Sequence, residues 1–238
     1  MVSGSADLSV KFWNLSTRKL ITTIEDFSHW IINLEMKSPT QHQIEAFKNQ
    51  AILFAMTKEL ITCYSWNVSQ DFSPQKNYQI PLNPADCLTF QNVFFTPGMQ
   101  VYGQKIAYIR QLPMFDTHTV GDADLIILNA NDGKMVKSVH INQKIRKLLA
   151  VGDRFAVVLL PYVNTKYQNV AVIDFLNRKI IGGCTVPHSR ANNPNFTQIA
   201  IGDTNWLNGF GSQKSEDFML ALSTAEGALH AVYWNILD

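Results

Sequence analysis

Charge is scarce in this chain. Charged residues make up 16% of it, against about 25% in an average soluble domain, and 20 Lys and Arg nearly cancel 19 Asp and Glu. That balance gives no support to nucleic-acid binding or to attachment at a membrane surface. Long apolar runs are missing too: Phe155–Leu160 is six residues, far below the ~20 that a membrane-spanning helix needs. With 46% hydrophobic residues the chain is neither disordered nor collagen-like. Its 238 residues suffice for one large domain or two small ones. Cysteine is sparse as well. Cys63, Cys87 and Cys184 are far apart, no Cys-x-x-Cys occurs, and no two histidines have metal-ligand spacing, so neither metal nor cofactor is expected. Isolated thiols and a start with no basic-then-apolar pattern point to a reducing compartment, cytoplasmic or nuclear.

Catalytic patterns are equally absent. No Gly-x-Ser-x-Gly elbow is present, and His29, His140, His188 and His230 approach no Ser or Cys in a recognisable arrangement. Gly182-Gly183 follows a strand rather than opening a helix, so it is no phosphate loop. Asp122 and Asp124 read as a turn entering a strand. No catalytic residue is expected, and the chain reads as a non-enzyme.

What the sequence does contain is a repeat. Trp13-Asn14-Leu15-Ser16 recurs as Trp66-Asn67-Val68-Ser69 and as Trp234-Asn235-Ile236. Before each Trp lies a run of strand formers, and before that a second strand ending in a turn. Two weaker copies fit between, with Leu128 and Ile173 in the Trp position, each followed by a turn (Asn129 to Gly133; Asp174 to Arg178). The repeat position falls at 13, 66, 128, 173 and 234, with gaps of 53, 62, 45 and 61 residues. These bracket and exceed the roughly 40–45 residues of a WD-repeat blade. The excess lies in turn-rich insertions, chiefly Lys37 to Gln50, Gln70 to Lys76, Leu112 to Asp122 and Asp203 to Glu216.

Amphipathic helices are almost absent, and Phe155–Leu160 does not alternate, which suits a strand covered on both faces. The expectation is an all-β, WD-repeat β-propeller in units 1–25, 26–82, 83–141, 142–190 and 191–238. The first and last units hold three strands and the others four. That is about four and a half blades of a probable seven, so the chain reads as the carboxy-terminal part of a larger propeller.

Val2 to Leu15 resembles the end of a WD repeat, with Ser3 on the second strand, Asp7 in the turn and Trp13 closing the third. Phe27 to Trp30, Ile52 to Trp66, Asn205 to Gly209 and Leu229 to Trp234 resemble the F-box/WD-repeat family. The resemblance implies blades fixed by hydrogen bonds among a His, the turn Asp, the strand Ser and the Trp. It makes Ser3, Asp7, Trp13, Trp66 and Trp234 structural repeat residues. Trp206 reads as a packing residue near a turn. In the second unit Asp26-Phe27 stands in place of Gly-His and Lys58-Glu59 in place of the turn Asp, so packing is expected to hold that blade.

No F-box is present in this chain. The resemblance implies a protein-interaction module: the substrate-recognition part of a cullin-based (SCF-type) E3 ubiquitin ligase, reaching the ligase adaptor only through an upstream F-box. The alternative is a WD-repeat scaffold unrelated to ubiquitin. One rim would carry Lys58, Arg110, Arg146 and Arg190. Relatives read phosphorylated segments with arginines so placed, because a guanidinium fork meets a phosphate bidentately. The expected partner is a protein substrate, in phosphorylated or unmodified form, with no nucleic acid and no membrane.

Overall fold

A computed structural model describes residues 1–41, 44–68, 72–82, 98–111, 123–141, 145, 147–152, 155–160, 170–175, 177–184, 196–203, 218–224 and 229–234. Within 196–234 only the backbone is described. The chain is all-β. Among the described residues, eighteen strands form five antiparallel sheets, each built in chain order. The first sheet holds β1 (Val2–Gly4), β2 (Val10–Asn14) and β3 (Lys19–Ile24). The second holds β4 (Asn33–Lys37), β5 (Gln50–Met56), β6 (Leu60–Asn67) and β7 (Gln75–Pro81). The third has β8 (Met99–Tyr102), β9 (Lys105–Gln111), β10 (Ala123–Asn129) and β11 (Met135–Ile141). β12 (Lys147–Val151), β13 (Phe155–Leu159), β14 (Val170–Asp174) and β15 (Lys179–Cys184) make the fourth. The fifth comprises β16 (Phe196–Asp203), β17 (Phe218–Thr224) and β18 (Leu229–Trp234).

Side-chain alternation explains how the sheets stack. Along β5, Ala51, Leu53 and Ala55 join Val10 and Phe12 of the first sheet, while Ile52, Phe54 and Met56 join Met99, Ile106 and Leu128 of the third. Along β10, Ile126 and Leu128 face the second sheet, and Leu125 and Ile127 pack with Val158 and Ile173 of the fourth. Successive side chains on a strand point to opposite faces. A strand buried on both therefore shows no apolar–polar alternation, as Phe155–Leu160 already indicated. Each core cluster fills the gap between two consecutive sheets. The first strands approach one another in order, β1 to β4, β4 to β8, β8 to β12 and β12 to β16. Exposure increases toward β3 and β11, at the far edge of their sheets.

The turn joining the last two strands recurs in detail. Trp13 pairs with Leu20, Leu128 with Met135 and Ile173 with Ile180, and each pairing follows a shift of register by one residue. Arg18, Gly133 and Arg178 occupy the same place in the three turns, and all are left-handed, with φ of 57°, 72° and 56°. A Lys follows in every case. Asn14, Asn129 and Asp174 each accept a backbone N–H from within their turn (Thr17, Asn131 and Asn177), the usual way that Asn and Asp hold such turns. The weak copies at 128 and 173 thus share backbone geometry with the copy at 13.

One insertion folds more tightly than its sequence suggests. Within Lys37 to Gln50, a 3-10 turn (Glu45–Phe47) buries Ile44 and Phe47 against the second and third sheets, and the Ala46 N–H donates to Asn131 Oδ1 at 2.8 Å.

Candidate functional site

The end of the stack where second strands hand over to third strands carries Lys58 and Arg110, two of the rim candidates. In the first sheet this turn is closed by Asp7. Its carboxylate accepts the Ser9 N–H at 3.1 Å and the Ser9 hydroxyl at 2.6 Å, and pairs with Lys11. The Lys11 and Ser9 hydrogen bonds hold the Asp7 carboxyl down at about 2. The Trp13 indole N–H donates to Ser3 Oγ at 2.9 Å, a side-chain bond that joins β2 to β1.

In the second sheet the polar clamp is displaced rather than lost. His29 Nε2 lies 2.7 Å from Glu59 Oε1, linking the segment before β4 to the turn between β5 and β6. Asp26, three residues upstream, accepts the Tyr64 hydroxyl and the Lys76 ammonium, both at 2.6 Å. Burial pushes the Asp26 carboxyl up, but these two donors outweigh it and hold it below its ordinary value. Burial and the Asp26 carboxylate together push Tyr64 up. The expectation that packing mainly holds this sheet therefore needs a polar addition. Trp66 is buried, with its ring edge-on to Phe12 at 5.4 Å and tilted on Phe72 at 5.2 Å. Leu53 stands at the register position that Ser3 holds in the first sheet.

Lys58 lies in the same turn, its ammonium 3.9 Å from Glu59 Oε1. Arg110 sits near the end of β9, directly across from Asp124 in β10, and its Nη2 donates to Asp124 Oδ2. On the other side His140 of β11 meets Asp124 Oδ1 at 2.9 Å through Nδ1. Asp124 is 6% exposed, so one buried carboxylate holds two basic side chains across three adjacent strands. Asp124 is the second residue of β10, where the chain enters the strand, and Asp122 lies outside the described residues. A buried carboxylate needs such partners, and removing one is costly.

Arg146, Arg190, Asp122, His188 and Trp206 lie outside the described residues. Trp234 ends β18, where its backbone pairs with Phe218. At the same rim Gly98, with φ of 79°, enters β8 between β4 and β12. A Cβ there would lie 3.4 Å from the Leu148 carbonyl and 3.6 Å from Asn33 Nδ2. Those are ordinary contacts, so what favours glycine here is the left-handed backbone.

Among the described residues no three His, Cys, Asp or Glu side chains are grouped as metal ligands would be. No helix among them is long and apolar enough to cross a membrane. Among the described residues this rim pairs Lys58 with Glu59 and Arg110 with Asp124. No protein-family model matches the chain, and no curated protein matches it significantly.

Proposed function

We propose that the five sheets are successive blades of a WD-repeat propeller and that the chain is a protein-interaction module. In this reading it is the substrate-recognition part of a cullin-based ubiquitin ligase of the F-box/WD-repeat kind. The observation that carries the propeller reading is the recurrence of one turn geometry at three positions of the sequence repeat, with neighbouring first strands along the stack. The Trp13–Ser3 bond adds to it. The ligase assignment rests on the resemblance of Asn205 to Gly209 and Leu229 to Trp234 to that family.

Lys58, Arg110, Arg146 and Arg190 are the proposed contacts to a protein substrate. Asp124 sets the position of Arg110. Tagging the gene product at its own locus and purifying it from cells tests the reading. Cullin and adaptor are expected to co-purify, and bound proteins to accumulate when the ligase is inhibited. A complex without cullin and adaptor overturns the ligase assignment and favours a scaffold.

Arg110→Ala is not a simple surface change, because it takes a partner from buried Asp124. It is expected to cost about 1–3 kcal/mol, measured by denaturant unfolding. Arg110→Ala with Asp124→Asn restores much of that loss, so the pair separates stability from partner capture.

A further inference from the structure

Three places in the chain put a hydroxyl residue directly before proline: Ser38-Pro39, Ser73-Pro74 and Thr96-Pro97. Their surroundings differ. Thr96 lies outside the described residues. Ser38 is half-buried and tied into its own turn: its N–H donates to Gln41 Oε1 at 3.0 Å, and its hydroxyl meets the Thr40 hydroxyl at 3.0 Å. Ser73 is exposed and belongs to neither strand nor turn.

The reasons are local. Proline disfavours the helical region for the residue before it, so the sequence itself favours an extended Ser73. Pro74 has no N–H to give to the sheet. The ladder between β6 and β7 reaches only to the pairing of Ser65 with Gln75, so Ser73 and Pro74 lie outside it. β7 is also the last strand of its sheet, with no further strand at its outer edge. Upstream, partly buried Phe72 anchors the segment, its ring 4.8 Å from Phe12 and 5.2 Å from Trp66. The Ser73 hydroxyl accepts the Gln75 side-chain N–H at 3.0 Å and donates to no group among the described residues. Three positions after Ser73 stands Lys76, whose side chain is 44% exposed and pairs with Asp26 at 2.6 Å. Such a surface pair holds its members loosely. Neither Ser38 nor Thr96 has a basic residue three positions on: Gln41 and Met99 stand there.

We propose that Ser73 is a phosphorylation site for a proline-directed protein kinase, of the kind that also reads a basic residue three positions on. A kinase cleft takes its target as an extended segment, and one that accepts proline after the serine makes no use of the missing N–H. In the transfer, Ser73 Oγ attacks the γ-phosphorus of ATP. The Oγ–P bond forms, the bond from that phosphorus to the β–γ bridging oxygen breaks, and ADP leaves. The hydroxyl proton passes to the catalytic carboxylate of the kinase. The product adds a charge of about −1.5 to −2 at an exposed position. Phe72, not Ser73, makes the aromatic contacts, so the modified chain keeps its fold. This inference stands apart from the ligase assignment.

The test treats the folded 238-residue chain with a purified cyclin-dependent kinase and ATP, and maps phosphate by peptide mass spectrometry. One phosphate per chain is expected, on Ser73, and none on Ser73→Ala, whose circular dichroism matches the parent. Lys76→Gln is expected to slow the transfer several-fold and Lys76→Arg to restore it. Transfer that favours Ser38 or Thr96 overturns the proposal, as does transfer to Ser73 only after the chain is unfolded, or none at all. A rate indifferent to Lys76 overturns the assignment of the kinase class. In cells, the peptide spanning Ser73 is expected to carry phosphate that a cyclin-dependent kinase inhibitor removes. Recovery of that peptide only in unmodified form overturns the site.

Discussion

At the scale of single residues, the fold depends on a few positions with no freedom to change. Gly133 has φ of 72°, and a Cβ there would lie 2.6 Å from Ile80 Cγ1 and 3.1 Å from Tyr78 Cε2. Gly133→Ala therefore meets a strained backbone and a collision with the core between the second and third sheets. It is expected to lower stability by about 1–3 kcal/mol in denaturant unfolding. An unchanged midpoint would remove Gly133 from this role. Cys63 is fully buried on β6, and burial pushes its thiol up to about 12. The thiolate is the reactive form, so Cys63 stays unmodified by iodoacetamide at pH 8 while the chain is folded and reacts once it is unfolded, read peptide by peptide by mass spectrometry. The carboxyls of Asp7 and Asp26 are depressed in the fold. The unfolded chain then binds more protons below about pH 4, so stability present above that value is lost as pH falls toward the folded values. For Asp7 the window runs from about 4 down to about 2. Asp7→Asn with Asp26→Asn is expected to flatten the acid limb of the melting temperature; an identical slope would place the acid sensitivity elsewhere.

At the scale of strands and turns, legibility followed the range of the interaction. The hairpins at Asn129 to Gly133 and Asp174 to Arg178 were readable because an Asn or Asp folds its own turn within three residues. Phe155–Leu160 was readable because a strand covered on both faces leaves its mark in its own composition. Contacts between distant segments left no such mark. Ala46 bonds to Asn131, 85 residues away, and nothing around Ile44 and Phe47 distinguishes a docked insertion from a loose one. The role of Asp124 is hidden for the same reason: its partners Arg110 and His140 lie on neighbouring strands at register positions that exist only once the sheet is built. In the second sheet, Asp26-Phe27 and Lys58-Glu59 looked like the loss of a polar clamp. His29 restores it from a shifted position by reaching Glu59, a substitution of geometry that residue identity at fixed places does not reveal. Of the rim candidates the sequence placed Lys58 and Arg110 at one end of the stack, but it did not show that each lies beside a carboxylate.

At the scale of the whole molecule, the stack is quasi-one-dimensional. Each core cluster belongs to two consecutive sheets and to no others, so energy passes between neighbours and not across them. Phe12 and Trp66 face each other within the cluster between the first and second sheets. Ile173 lies two interfaces further on, in the cluster between the third and fourth. Double-mutant cycles turn this arrangement into a measurement. Phe12→Leu and Trp66→Phe remove parts of one aromatic contact, and their effects are expected to deviate from additivity by about 0.5 kcal/mol or more. Phe12→Leu and Ile173→Val share no neighbour, so their effects should add to within about 0.5 kcal/mol. The distant pair is the sharper of the two. If every sheet wrapped a single common core, a cavity at Phe12 would loosen Ile173 as readily as Trp66, and the two cycles would give similar coupling. Equal coupling in both cycles, measured by urea unfolding with the slope unchanged, would falsify the sheet-by-sheet partition of the core.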